Sequence, residues 1–451
     1  MLKNNLQYFL LGLILLVHGL LLTKLIFFPY PELFIYPYLT NHGLLPYSQI
    51  LDQHFPGLMF LPLNFDNLGM TSEVSARIWL ISIVLITHIL LFFVSRSILQ
   101  NGSKALLVNI LYLLWQPFFE GWVLWIDNFL PLLLLPAFNF TLKKKFFVTG
   151  LFLGLGIVFK QTIIPLAILL LLYIYLENRN LKNVAKYFSG LVLPVGLMLA
   201  YLLNIGVLKD FWYWTIVFNL TIYAQYGTQI PTSFGFISRI FMVYLAALSG
   251  LHFKGGRLKI ILFLFLVGSL VGAFDRANFV HFQPSLPFAL IGTTLGFYSL
   301  TKKHFGFILI GLYLTITIWW QNIFYKGHIS NKVFFFDEET YAISNKIRQY
   351  TKVGDKIFVF GAAPHLYQMS QTKPAGDVFV FQFPWFLMVA EDRILQGVTE
   401  DRPEIVVVDR TVEIEGQKIT EFAKKIDQYI QQNYQIIDQV GKTAILLRSS
   451  P

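Results

Sequence analysis

The stretch LQYFLLGLILLVHGLLLTKLIFF, residues 6–28, decides the fold class because it is apolar and long enough to cross a bilayer, which takes about 20 residues. Comparable runs recur as far as residue 325. Of the 451 residues, 55% are hydrophobic and 13% are charged, and the mean hydropathy is +0.59. Because this balance excludes a soluble protein of that length, the sequence predicts an α-helical polytopic membrane protein.

The hydropathy pattern predicts about eleven transmembrane helices, several of them only about 15 residues long. They lie near residues 6–28, 78–95, 105–119, 128–141, 146–159, 162–176, 186–205, 236–251, 258–273, 284–300 and 305–324. There is no cysteine, which excludes disulfides, thiolate nucleophiles and iron–sulfur clusters.

Basic residues are concentrated in alternate connections between these spans, as is typical of loops on the cytoplasmic side. They are Lys3, Arg96, Lys104, Lys143, Lys144, Lys145, Arg179, Lys182, Lys186, Lys254, Arg257, Lys259, Lys302 and Lys303. Residues 1–320 carry a net charge of +11, whereas residues 321–451 carry −1. The pattern predicts a plasma (inner) membrane protein with a cytoplasmic N-terminus and an extracytoplasmic C-terminal domain. Membrane topology therefore explains the basic net charge, and binding to nucleic acid is not needed to explain it.

The pattern changes after residue 325, where short strands alternate with amphipathic helices. The strands are KIFVFG (356–361), EIVVVD (404–409) and TAILLR (443–448), and the helices lie near 337–351, 384–397 and 418–433. This alternation predicts an α/β fold. We therefore expect two domains, a multi-span domain at 1–325 and an extracytoplasmic α/β domain at 326–451.

The first extracytoplasmic loop, residues 29–77, begins PYPELFIYPYLTNHGLLPYSQILDQHFPGL. It is too apolar to extend freely into water. We expect short helices along the membrane interface, with Tyr, Phe and Pro side chains at the level of the lipid headgroups. Glu32 follows the first span directly, where a partly desolvated carboxylate can act as a general base.

At these residues the sequence resembles the GT-C membrane glycosyltransferases, particularly the bacterial relatives of protein O-mannosyltransferases and of the aminoarabinose transferase in glycosyltransferase family 39. That family has an acidic motif after the first span, usually Asp-Glu, then G-x-x-P-Y and D-x-x-P-P-L stretches. Pro31–Glu32, Gly43–Tyr47 and Asp52–Leu58 are similar to these. Here the usual Asp-Glu pair is replaced by Pro-Glu, so either Glu32 or Asp52 could be the base. We favour Glu32 because it is closest to the end of the first span.

Later elements of the chain also resemble the family and follow in the same order. They are Gly69 and Arg77 before the second span, Asp127 at the fourth, Lys160–Gln161–Thr162 after the fifth, and Arg276 to Phe282 with Pro284 and Pro287 before a late span. The likeness therefore covers nearly the whole chain.

The resemblance implies an inverting glycosyltransferase that moves a sugar from a polyprenyl-phosphate-linked donor to the hydroxyl of an acceptor glycan, lipid or protein on the extracytoplasmic face. A base takes the proton of the hydroxyl, and cations stabilise the departing phosphate. The implied catalytic residues are Glu32, Asp52 and Asp127; the donor-phosphate residues are Lys160, Arg276 and His281; and His54 and Arg77 would position the acceptor or the loop. No cofactor is certain, but Asp127, Glu32 and His281 could hold a divalent metal ion.

Structural roles stay open for six of these residues. Glu32 could be a solvated interfacial acid, Lys160 a span-end anchor, and His54 and His281 hydrogen-bonded interfacial histidines, while Arg77 and Arg276 could pair with Glu73 and Asp275. Other functions also stay open: an oligosaccharide ligase or polymerase, a transporter or flippase of lipid-linked sugars, or a membrane-anchored binding protein. The scarcity of charges inside the spans disfavours a transporter.

Overall fold

The structure, a computed structural model, describes residues 2–227, 231–253 and 256–449. Lys254, one of the basic residues of the predicted cytoplasmic connections, and the side chains of Lys3 and Asp275 lie outside the described residues. The chain forms two compact units. The first comprises Met1–Phe28, Ala76–Met198 and Gln229–Lys332, and the second comprises Pro29–Ser75, Leu199–Thr228 and Val333–Pro451. The division at residue 325 stays a prediction.

Helices make up most of the chain. In chain order they are α1 (Leu2–Lys24), α2 (Glu32–Asn41), α3 (Glu73–Leu99), α4 (Gly102–Gln116), α5 (Leu130–Leu142), α6 (Phe146–Phe159), α7 (Ile164–Asn178), α8 (Leu181–Asn204), α9 (Leu208–Trp212), α10 (Ala224–Tyr226), α11 (Phe234–Phe253), α12 (Gly256–Gly268), α13 (Gly272–Asp275), α14 (Leu286–Leu300), α15 (Gly306–His328), α16 (Glu338–Tyr350), α17 (Leu366–Ser370), α18 (Pro384–Asp401), α19 (Ile419–Phe422) and α20 (Lys424–Asn433).

The strands are short. They are β1 (Phe28–Pro29), β2 (Ile50–Leu51), β3 (Val123–Leu124), β4 (Lys356–Phe360), β5 (Lys373–Pro374), β6 (Phe379–Val380), β7 (Ile405–Val408), β8 (Glu413–Ile414), β9 (Gln417–Lys418), β10 (Tyr434–Val440) and β11 (Thr443–Arg448).

Every span predicted from hydropathy falls on a helix of the structure. Six helices among the described residues are long and apolar enough to cross a membrane, and shorter apolar helices accompany them. The helical membrane fold is therefore confirmed, whereas the number of crossings stays a prediction.

Buried polar side chains join α1, α3 and α4 in the first unit. His18 Nδ1 lies 2.7 Å from His88 Nε2, and His88 Nδ1 lies 2.8 Å from the amide oxygen of Asn109. On its other side, His18 Nε2 lies 3.1 Å from the amide oxygen of Gln116. Helices in a membrane are held together by such interhelical hydrogen bonds and by close packing.

Close packing is clearest between α11 and α14, where glycines face each other. A Cβ atom added at Gly250 would fall on the carbonyl oxygen of Gly292, and it would lie 2.9 Å from the backbone nitrogen of Gly296. Only glycine allows the two backbones this approach.

The C-terminal part of the second unit has a five-stranded sheet in the order β10-β11-β7-β4-β5. Strand β4 pairs in parallel with β5 and β7, and β11 is antiparallel to β7 and β10. All four residues of β7 are buried, as expected of a central strand covered on both faces. The predicted α/β fold is confirmed. Strand β10 has no counterpart in the sequence prediction, because its exposed edge position leaves it without a continuous apolar run.

The first loop belongs to the same compact unit as the sheet. Its helix α2 has Leu33, Ile35 and Tyr36 completely buried. The rings of Phe34 and Tyr36 pack in the protein against Phe336 and Phe381. Protein contacts in the second unit therefore cover these side chains. The level of the loop's aromatic side chains relative to the lipid headgroups stays a prediction.

His365, in the loop between β4 and α17, is completely buried in the second unit. Its Nε2 donates to the carbonyl oxygen of Phe335 at 2.6 Å, and its ring lies 4.6 Å from that of Phe336. Burial lowers the pKa of this imidazole to about 4, although the hydrogen bond to Phe335 acts in the opposite direction. The ring is therefore neutral in the folded protein at neutral pH.

We expect a Gly250→Ala substitution to lower the free energy of unfolding by about 1–3 kcal/mol, because the new methyl group meets backbone rather than a movable side chain. Gly311→Ala is the matched control, since a Cβ atom there would have nothing within 4 Å. Thermal unfolding in detergent compares the two. Equal stability of the two variants would contradict the close backbone contact.

We also expect the stability of the C-terminal sheet to decrease as the pH falls from 6.5 towards 4. The pKa of His365 is lower in the folded than in the unfolded chain, so its contribution is complete above pH 6.5 and is lost at about pH 4. The loss is at most about 3 kcal/mol. Hydrogen exchange of residues 356–370, measured against pH in the wild type and in His365→Gln, checks this. The variant should lose most of the pH dependence, and an unchanged slope would contradict the assignment.

Candidate active site

Three of the sequence-predicted site residues meet in the first unit. Lys160 Nζ lies 2.8 and 2.6 Å from the two carboxylate oxygens of Asp127. His281 Nδ1 lies 2.9 Å from Asp127 Oδ2 and 3.2 Å from Lys160 Nζ. The side chains of Asp127, Lys160 and His281 are 1, 7 and 12% exposed. They form a buried charged cluster.

All three residues lie at breaks between helices. Asp127 lies in the turn before α5, Lys160 has an extended backbone between α6 and the turn that begins α7, and His281 lies in the turn before α14. Each helix that follows has proline in its first turn: Pro131, Pro165 and Pro287. Proline suits this position because its missing N–H would have no partner in the helix. The sequence thus ends one helix and starts the next at each site residue.

The charges of the cluster balance. Lys160 and Asp127 compensate each other, as a buried ion pair must, and a neutral His281 leaves the cluster without net charge. A protonated His281 would give it one positive charge. The arrangement can therefore bind an anion that contacts Lys160 and His281 while these two residues also contact Asp127.

The residues of this cluster do not fit a divalent metal. Within the described residues, no group of three His, Cys, Asp or Glu side chains could hold a metal ion. Asp127 and His281 are close together, but the ammonium group of Lys160 lies beside both carboxylate oxygens, where it would repel a cation.

Two side chains that the sequence did not assign to the site fix the turn of His281. Glu120 Oε2 accepts a hydrogen bond from the backbone N–H of Val280 at 3.0 Å, and Gln283 Nε2 donates to the carbonyl oxygen of Phe119 at 2.7 Å. Glu120 has a left-handed backbone, with φ of 54°. That conformation is uncommon for a residue other than glycine and often marks functional segments.

Arg239 completes this support. Its guanidinium group lies between the rings of Phe118 and Phe279, 3.9 and 4.1 Å from their centres, and donates to the carbonyl oxygen of Phe118. Burial raises the pKa of the Glu120 carboxyl, whereas the Val280 N–H and the charge of Arg239 lower it. No motif in the sequence analysis selected Glu120 or Arg239.

The second unit holds another group, centred on Asp52, whose side chain is 2% exposed. The Tyr36 hydroxyl donates to Asp52 Oδ2 at 2.6 Å, and the backbone N–H of His54 donates to Oδ1 at 2.7 Å. The Nδ1 atom of His54 lies 2.9 Å from the same Oδ1. Tyr47 donates in turn to the carbonyl oxygen of His54 at 2.9 Å. These groups hold the carboxylate in one orientation.

The Asp52–His54 contact has a chemical use. When Nδ1 of His54 carries the proton and donates it to Asp52, the lone pair is on Nε2. In such couples the carboxylate orients the ring and stabilises its protonated form. The couple can therefore accept a proton at His54 as well as position the loop.

Glu32 is the first residue of α2 and is 7% exposed. A negative charge is favourable at that end of a helix. Burial raises the pKa of Tyr36 well above its usual value, and the charges of Asp52 and Glu32 raise it further. Both candidate acids thus lie near Tyr36, which stays protonated as a donor.

The structure places the two arginines as follows. Arg77, near the start of α3, donates to the carbonyl oxygens of Leu22 and Leu25 at 2.8 and 3.0 Å, and its guanidinium group lies 4.6 Å from the centre of the Phe27 ring. It therefore secures the chain where α1 ends. Arg276 is half-buried in the extended segment after α13, which leads to the turn of His281.

Solved structures with this arrangement of elements include ArnT from Cupriavidus metallidurans. ArnT bound to undecaprenyl phosphate superposes with a TM-score of 0.67 and 12% sequence identity over 97% of each chain. The apo state gives a TM-score of 0.64 and 11% identity over 99% of this chain and 98% of that chain. The chain has the ArnT fold.

These matches confirm the resemblance to GT-C glycosyltransferases at the level of the fold, over almost the whole chain. No protein-family model and no curated protein matches the sequence. Only the fold, and no pairing of individual residues, follows from 12% identity.

We expect Lys160→Met to lower the free energy of unfolding by about 3 kcal/mol, because it leaves the Asp127 carboxylate buried without its ammonium partner. The double variant with Asp127→Leu should lose less, since no buried charge is left uncompensated. Lys209→Met, at an exposed lysine, is the control. Denaturant unfolding in detergent checks the order, and a double variant as unstable as Lys160→Met would contradict it.

Proposed function

We propose that the protein is a membrane glycosyltransferase that moves a sugar from a polyprenyl-phosphate-linked donor to a hydroxyl acceptor on the extracytoplasmic face. The observation that carries the proposal is the match of nearly the whole chain to ArnT bound to undecaprenyl phosphate. The motif order along the sequence supports it independently. The proposed location is the plasma (inner) membrane, with the N-terminus in the cytoplasm and the C-terminal domain outside.

In the proposed reaction the acceptor oxygen attacks the anomeric carbon of the donor sugar from the side opposite the phosphate. The bond between the anomeric carbon and the phosphate oxygen breaks, and the configuration inverts. The acceptor proton passes to a base, and polyprenyl phosphate leaves as an anion. The protein must therefore supply a base and a site for the anion.

Glu32 is the leading base. Both oxygens of the alternative, Asp52, already accept hydrogen bonds, from Tyr36 and from His54. Because each oxygen already accepts a hydrogen bond from the protein, fewer of its lone pairs are open to the acceptor hydroxyl. This supports Asp52 as the residue that orients Tyr36 and His54, and Glu32 as the proton acceptor.

Lys160 and His281 are the proposed site for the departing phosphate. They are buried cationic or potentially cationic groups at breaks between membrane helices, and the anion would share them with Asp127. Electrostatic stabilisation of this kind is strongest where water is excluded. Arg276, in the same segment as His281, is proposed as a further donor to the phosphate.

We expect Glu32→Gln to lower kcat at least about 100-fold with little change in KM for the donor, because the amide cannot accept the proton. The assay uses the purified full chain, undecaprenyl-phosphate-linked hexose and pentose carrying a radiolabel, and a membrane lipid extract as acceptor. Transfer of the label and release of undecaprenyl phosphate are both measured.

Asp66→Asn is the matched control for this experiment, because Asp66 lies in the same loop and is partly exposed beside Asn41. It should keep wild-type turnover. Loss of turnover in Asp52→Asn but not in Glu32→Gln would move the base to Asp52. Undiminished turnover in both would contradict a carboxylate base in the first loop.

A further inference from the structure

The first loop is paired by its backbone with the C-terminal domain of the second unit. Strand β2 pairs in parallel with β6, with Ile50 opposite Phe379 and Leu51 opposite Val380. The backbone N–H of Phe379 donates to the carbonyl oxygen of Gln49 at 2.8 Å. The pairing ends directly before Asp52, so β6 fixes the position from which this carboxylate projects.

Aromatic contacts dock α2 on the same domain. The ring of Tyr36 lies edge-on to Phe379 and Phe381, 6.0 and 5.5 Å between centres, while its hydroxyl donates to Asp52 at 2.6 Å. The rings of Phe34 and Phe336 lie 4.9 Å apart. Since α2 begins with Glu32, these contacts also orient the proposed base.

Polar contacts surround this apolar centre. Tyr38 donates to the carbonyl oxygen of Thr372 at 3.1 Å, and Lys373 Nζ donates to the carbonyl oxygen of His42 at 3.0 Å. Arg393 donates to the carbonyl oxygen of Ser48. The domain thus contacts the loop on both sides of residues 43–47.

The segment of residues 199–228 supports the loop from a further direction in the same unit. The rings of Phe218 and Phe386 are stacked 5.1 Å apart. Asn219 donates to the carbonyl oxygen of Gln53 at 2.9 Å, and Phe211 packs against Phe55 with 5.0 Å between ring centres. The residues on both sides of Asp52 therefore have partners outside the loop.

The secondary structure of the loop is too short to be stable by itself. An isolated helix as short as the 10 residues of α2 is marginal in water, and a two-residue strand has no stability without its partner. Displacement of a catalytic group by about 1 Å can lower a rate about 100-fold. Correct placement of Glu32 and Asp52 thus requires an external support.

We propose that the C-terminal domain is the template that holds the candidate catalytic loop, with Phe379 and Phe381 as positioning residues for Tyr36 and the two carboxylates. The inference rests on the proposed function for its catalytic meaning, but the docking itself is independent of it. The domain acts through the loop and does not itself supply the proposed base.

The test weakens the docking at Phe381 and compares it with a phenylalanine elsewhere in the domain. Phe381→Leu removes the ring that packs edge-on to Tyr36. Phe358→Leu is the control, because Phe358 is equally buried but packs on Phe360 in the sheet. In the full-length protein, Phe381→Leu should speed the hydrogen exchange of residues 45–56 at least about tenfold, and Phe358→Leu should not.

Turnover provides the second measurement. Phe381→Leu should lower kcat at least about tenfold and leave KM for undecaprenyl-phosphate-linked sugar unchanged, since the proposed phosphate site lies in the first unit. A general loss of folding would instead lower the active fraction in both variants, which active-site titration or unfolding would detect.

A disulfide rescue separates positioning from other effects. The chain has no cysteine, so Leu51→Cys with Val380→Cys introduces a single possible bridge between residues that are directly opposite in the β2–β6 pair. In the Phe381→Leu background, the oxidised pair should restore slow exchange and turnover, and reduction should remove both.

Each outcome decides the inference. Unchanged exchange and turnover in Phe381→Leu, or an oxidised bridge that restores neither, would overturn it. If the wild type transfers no sugar from either labelled donor, the proposed function fails, while the exchange and bridge measurements still decide whether the domain orders the loop.

Discussion

A carboxylate that is 1% exposed inside an apolar helical unit needs a charged partner, and for Asp127 that partner is the ammonium group of Lys160. The pair forms where α6 ends, at Lys160, and just before α5 begins, at Asp127. The turn of His281 lies beside them. Glu120 accepts a hydrogen bond from the backbone of this turn, and Gln283 donates one to the backbone of Phe119. The breaks in the helices and their supporting contacts therefore bring the partners of one buried ion pair together.

The second unit meets the same constraint with different chemistry. Asp52 is nearly as buried as Asp127, but the Tyr36 hydroxyl and the backbone N–H of His54 are its partners. Neutral donors orient a carboxylate without cancelling its charge, whereas an ammonium group cancels it. The two acids thus suit different tasks. Asp127 balances the charge of Lys160, and Asp52 is oriented by donors that are themselves fixed by packing.

Hydropathy predicted nearly all of the helical fold, because the transfer of a long apolar run into a bilayer is a local property of the sequence. The motif resemblance also selected Asp127, Lys160 and His281, which the structure brings together. Tyr36 and Glu120 were not selected, because their roles depend on contacts with residues distant in the chain, and a single sequence gives no sign of such contacts. The same reason explains the loop. Its excess of apolar residues was interpreted as affinity for the membrane interface, although the C-terminal domain buries much of it.

The choice between lipid and protein as the surface that covers such a loop has a physical basis that applies beyond this case. An apolar segment reports only that it avoids water, and it does not distinguish lipid from protein as the alternative. The hydrogen-bonding needs of the backbone distinguish lipid from protein. Unpaired N–H and C=O groups need partners wherever water is scarce, and an irregular loop cannot satisfy them from within as a helix does. In this loop, Gln49, Ser48 and His42 accept hydrogen bonds at their carbonyl oxygens from donors of the C-terminal domain. Lipid acyl chains offer no such donors, whereas headgroups, water and protein do. An apolar loop that is rich in proline and poor in helix therefore indicates a surface that supplies donors, and here the C-terminal domain supplies several of them.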